Sequence, residues 1–119
     1  LSEYLSVLRL SEQYLIRAEA LAHSGKAQEA LDDLNRIRER AGTGFLEYPN
    51  QSIQVDIVLA EISEDRQREL FVEWGHRFFD LKRTGRLDEV LGQTKLSWDE
   101  ADAFWPIPLS EMQSNPNLK

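Results

Sequence analysis

The residues with the most chemical potential lie in 69–83, ELFVEWGHRFFDLKR. His76 and Asp80 are four residues apart, the spacing at which side chains meet on a helix. A histidine oriented by a carboxylate is half of a nucleophilic site, but the nucleophile is wanting. No Ser or Thr stands in an elbow-like motif, and the sequence has no cysteine. The pair therefore reads as a histidine held by a carboxylate in a structural network, and no catalytic residue is assigned. Glu64 and Asp65, in SEDRQREL, raise the paired carboxylates of glycoside hydrolysis. Helical neighbours with Arg66 and Arg68 beside them do not face each other across a cleft. Arg66 and Arg77 would also repel a cation, and His23 lies in a turn far along the chain, so neither metal nor cofactor is expected. What remains is aromatic. Trp98 and Trp105, with Phe104, can stack on sugar rings, although an aromatic beside a proline more often fills a core or an interface. The two tryptophans are the candidate ligand contacts.

These groups need elements to position them. One helix over residues 57–83 would place Arg66, Glu69, Glu73, Arg77 and Asp80 on an arc roughly 80° wide. Glu73 with Arg77, and His76 with Asp80, would then meet at i,i+4. Leu70, Trp74, Phe78 and Leu81 form the adjoining stripe, and Phe71, Val72 and Phe79 carry apolar surface to the far side. A long helix buried between neighbours is expected, with Arg66, Glu69, Glu73, His76, Arg77 and Asp80 as its paired network, since a lone buried charge costs several kcal/mol. Gly75 is its weakest point and the candidate place for a break. Beyond Thr84 and Gly85, the residues Leu87, Val90 and Leu91 give one more short helical face, so the helical spine spans 57–91.

Toward the N-terminus, Leu8, Leu15, Ala18 and Ala22 recur every three or four positions and predict a helix over 8–22. Gly25 suits the left-handed cap. A second helix is expected over 27–41, with Ala27, Ala30, Leu31, Leu34 and Ile37 inward and Gly42 at its end. Residues 1–42 then form an antiparallel hairpin like one tetratricopeptide (TPR) repeat, with small residues at 18 and 30 where the backbones approach. Residues 43–56 read as a loop packed through Phe45, Leu46 and Tyr48, with Asp56 capping the next helix. Ser97 and Glu100 fit a capping box. The prolines of Phe104-Trp-Pro-Ile-Pro-Leu109 impose an extended course. Its side chains are expected to pack on the helices, making 97–119 a C-terminal wrap. The fold class is all-α, and 119 residues suit a single domain.

A net charge of −7 repels phosphate backbones, so no nucleic-acid partner is expected. No apolar run approaches the roughly 20 residues that span a membrane. The chain begins at Leu1, without a signal pattern, and reads as a piece of a longer protein.

Three motifs occur in order. They are Asn35-Arg36-Ile37-Arg38 with Ala41-Gly42; 64–83, with Arg66, Arg68, Glu69, Leu70, Glu73, Gly75, His76, Arg77, Asp80, Leu81 and Arg83; and Pro106-Ile-Pro108 with Glu111, Asn115, Pro116 and Leu118. Together they closely resemble the C-terminal part of the SusD/RagB family of outer-membrane nutrient-binding lipoproteins of Bacteroidetes. The resemblance implies an all-helical scaffold without a catalytic step. It implies placement on the outer face of the outer membrane through a lipid anchor outside this chain. It also implies a SusC-like TonB-dependent transporter as partner, and an oligosaccharide or peptide ligand held mainly by regions absent here. No sugar-contacting residue is carried over. The alternative is a TPR-type adaptor that binds a protein segment on the hairpin's concave face.

Overall fold

The computed structural model describes residues 8–47 and 53–118, and all regular structure among them is helical. The helices are α1 (Leu10–His23), α2 (Ala27–Ala41), α3 (Val55–Glu69), α4 (His76–Arg83), α5 (Leu87–Thr94) and α6 (Leu109–Ser114), with 3-10 turns at Glu100–Ala103 and Pro116–Leu118. The chain divides into two compact units, residues 1–77 and 78–119.

In the first unit, α1 and α2 form the expected hairpin and α3 packs on both. Ala18 and Ala30 are fully buried where α1 and α2 cross, and Ala22, Leu31, Leu34, Val58 and Ile62 complete the core. Because that crossing is closed by two methyl groups, Ala18→Leu should cost about 1–3 kcal/mol through overpacking. Ala20→Leu, on an exposed position, should be close to neutral, and urea titration of the two variants checks the difference.

The hairpin turn is written in its glycine. Gly25 adopts φ +76°; its N–H reaches the Ala22 carbonyl and the Lys26 N–H reaches that of Leu21, so two of the orphan carbonyls of α1 are satisfied. The same two bonds recur at Gly42 after α2 and at Gly85 after α4.

The loop after α2 packs through Leu46, whose N–H donates to Asn35 Oδ1 at 2.8 Å and whose carbonyl accepts from Asn35 Nδ2 at 3.1 Å. Phe45 is exposed rather than packed, and Tyr48 lies outside the described residues. Helix α3 begins at Val55 after Gln54, so Asp56 sits in its first turn and is not its cap.

Residues 57–83 are not one helix. Helix α3 ends at Glu69, six residues before Gly75, and α4 starts only at His76. Between them Val72, Trp74 and Gly75 all have positive φ, at +61°, +45° and +73°, which a right-handed helix cannot contain. Glycine takes that conformation freely, whereas each of the other two is strained by about 1–2 kcal/mol. Nor is the segment wholly buried. Val58, Ile62, Asp65, Arg66 and Leu70 face inward, while Phe71, Val72, Trp74 and Phe79 are exposed.

In the second unit, Leu81 and Leu87 are buried. The Lys82 ammonium lies 4.9 Å from the Phe104 ring centre and donates to the Ala103 carbonyl at 2.6 Å. The capping box belongs to Asp99 and Asp102, two residues after the expected one. Asp99 accepts from the Ala101 N–H, and Asp102 accepts from the Asp99 N–H. Phe104, Trp105 and Ile107 lie in the non-helical stretch that precedes α6 and Leu109 opens that helix, but all four are exposed rather than packed.

Candidate functional site

The charged network is built between helices rather than along one. Helix α2 carries Asp33 on its otherwise apolar inward stripe beside Leu34, and α3 carries Asp65 on an inward face that also holds Val58, Ile62 and Arg66. A carboxylate in such a place needs a cation from the neighbouring helix. Arg17 of α1 supplies one, binding Asp33 through Nε at 2.6 Å and Nη2 at 2.5 Å. These contacts with Asp33 raise the Arg17 pKa above its already high ordinary value. Arg38 of α2 supplies the other, gripping Asp65 through Nε at 2.6 Å and Nη2 at 3.0 Å and reaching Glu61 at 2.7 Å. Burial opposes the charge of Arg38, but its carboxylate partners more than offset this and its pKa is also raised.

Glu69, the last residue of α3, ties the far ends of the hairpin together. Arg9, which precedes α1, donates to its carboxylate at 2.6 Å and to its backbone carbonyl at 3.0 Å, closing the C-terminus of α3. Arg40, in the last turn of α2, reaches its other oxygen at 2.5 Å. Burial alone would raise the Glu69 carboxyl. The hydrogen bond from Arg40, with the charges of Arg40 and Arg9, brings it below the ordinary glutamate value. Arg9 also pairs with Glu73 in the turn that follows.

The six residues expected to form one ladder are therefore distributed. Glu69 and Glu73 converge on Arg9, and Arg66 is 6% exposed at the inner face of α3. Glu73 does not meet Arg77. His76 turns to Glu12 of α1, its Nδ1 3.8 Å from Oε1, beyond hydrogen-bond length. Asp80 accepts from Arg83 Nε at 3.0 Å. The helix break explains the loss of the Glu73–Arg77 pair, because Glu73 lies between α3 and α4 where i,i+4 spacing does not run. Arg9, Arg17, Asp33, Arg38, Arg40 and Asp65 were missed as network members. Asp33 carried a legible signal, a charge on an apolar stripe.

An open pocket of about 280 Å³ lies where α3 gives way to the turn and the start of α4. It is lined by Arg66, Gln67, Phe71, Val72, Glu73 and Arg77, among others. Among the described residues no three His, Cys, Asp or Glu side chains come together as metal ligands. The two tryptophan candidates part company. Trp98 is half-buried, donates through Nε1 to Asp88 at 2.9 Å and has the Lys95 ammonium 5.8 Å from its ring centre. Trp105 is 89% exposed.

Comparison with known proteins follows the whole chain rather than a cluster of polar atoms. The model of the SusD family matches residues 1–119. The SusD-like protein P38 of Formosa agariphila is 31% identical across 95% of this chain and 23% of its own length. The SusD-like protein P25 of the same organism is 30% identical across 94% of this chain and 22% of its own. The starch-binding protein SusD of Bacteroides thetaiotaomicron is 29% identical across 96% of this chain and 20% of its own. The chain thus spans about a fifth of the length of the curated relatives it matches. No solved structure matches it significantly.

Proposed function

The chain belongs to the SusD family, and from that we propose that it is the helical scaffold of a non-enzymatic nutrient-capture protein on the outer face of a bacterial outer membrane. The capture protein takes up a glycan, and this part docks against a SusC-like TonB-dependent transporter. The observation that carries the reading is a family match that runs from the first residue to the last. A relative named for starch binding makes starch-type glycans the first ligands to try. The geometry fits a supporting role. Of the charged groups that looked chemical in the sequence, Asp65 and Glu69 are engaged in bonds that tie α3 to α2 and to the residue before α1, and no helix among the described residues is long and apolar enough to cross a membrane. Attachment to the membrane is assigned to a lipid anchor outside this chain.

The test uses the intact protein. Affinity purification from outer membranes should bring down a TonB-dependent transporter. Titration with starch oligosaccharides and a panel of other glycans should give saturable binding with no shortened products. Recovery of soluble client proteins without a transporter would favour the TPR-type adaptor, and glycan cleavage that His76→Ala abolishes would make the protein a hydrolase.

A further inference from the structure

Residues 70–75 combine three features that do not suit a surface facing water. Phe71 is 74% exposed and Val72 86%, with Trp74 exposed beside them. Val72 and Trp74 hold left-handed backbone conformations, Val72 against the resistance of a β-branched side chain. Strain of this kind persists where surrounding structure over-determines it. The third feature is the pocket beneath, whose walls include Phe71 and Val72 and whose charge is unbalanced. Glu73, the sole carboxylate among its described lining residues, is taken up by Arg9, while Arg77 makes no ion pair among the described residues.

We infer that this turn and pocket are an internal docking surface. In the intact protein they are covered by a segment of the same polypeptide from outside residues 1–119, which lays apolar side chains on Phe71 and Val72 and sets a carboxylate beside Arg77. Two observations choose the occupant. The matched relatives extend for roughly four-fifths of their length beyond the region of similarity, so ample chain of the same protein is at hand to cover it. A second copy of the chain is disfavoured because it would bring another net charge of −7 against the first. The carboxylate follows from the unpaired guanidinium, which a bulky apolar segment alone would bury at a cost. The inference rests on family membership and not on transporter docking.

The test is site-specific photo-crosslinking in the intact protein, with a benzophenone amino acid at position 71. The expected product is a cross-link within one chain, mapped by mass spectrometry to a peptide outside residues 1–119 that contains Asp or Glu. Mixing light and heavy isotopic forms separates this from a link between two copies. Arg77→Lys, which keeps the charge, should preserve the yield. Arg77→Glu should reduce it at least several-fold without changing the circular dichroism spectrum. A link to a second copy, or reaction with solvent alone, would overturn the inference. So would a link to the transporter, although that result would leave the proposed function standing. A link of equal yield with either charge at 77 would remove the carboxylate from the occupant and overturn the inference in that form.

Discussion

Arg38→Ala should lower the stability of the α1 to α3 unit by about 3–5 kcal/mol, the cost of removing one partner from a buried ion pair. The Arg38 and Asp65 side chains are only 11% and 7% exposed, and the carboxylate would be left with the largely exposed Arg68, 3.3 Å away, as its one guanidinium among the described residues. Glu61 loses the same guanidinium. Arg38→Lys should recover less than half of the loss, because an ammonium cannot reproduce the two-pronged grip on Asp65. Hydrogen exchange of core amides in α1, α2 and α3 of the intact protein reads this directly. Protection unchanged in the alanine variant would place the pair outside the stabilising core. Glu64→Ala gives the contrast: its pair with Arg68 is largely exposed on both sides, and the expected change stays within about 0.5 kcal/mol.

Glu69→Gln carries the second large effect, about 2–3 kcal/mol at neutral pH. The figure is below that for Arg38 because Arg40 is more than half exposed and can rehydrate. The pH dependence follows from the direction of the shift. The folded carboxyl titrates below its ordinary value of 4.5, so its stabilisation is fully present above that value. It is then lost as the pH falls through 4.5 toward the lower folded pKa. Wild-type protein should therefore lose stability on acidification faster than Glu69→Gln does. Parallel pH profiles of amide protection for the two proteins would refute this assignment of the acid-sensitive group.

How much of this could be read in the sequence depended on how local each signal was. Helix α2 begins and ends at the residues its apolar period and Gly42 predict, and α1 lies within two residues of expectation. Amphipathic period and glycine caps act over a single turn. The break after Glu69 was hidden, because Val72 and Trp74 are not residues that announce a left-handed backbone. Once the helix stopped, the arc that linked Arg66 to Asp80 lost its geometric basis. The true partners of Glu69, Arg9 and Arg40, stand 60 and 29 positions away in sequence, where no spacing rule reaches. The aromatic candidates divided for a similar reason. Trp98 is held by Asp88 ten residues back, a contact that its own neighbours did not foretell.

The two bonds between Asn35 and Leu46 bear on how this part of the protein can change over evolution. A side-chain amide offers a donor and an acceptor at nearly the spacing of a peptide group, so Asn35 serves as a single detached rung to which the returning chain is pinned. Aspartate lacks the donor and glutamine is one methylene too long, which leaves position 35 little freedom. Residues 43–45 are relieved of any duty in placing Leu46, since that duty sits in α2. Drift should therefore collect in the loop while the asparagine that anchors it stands still.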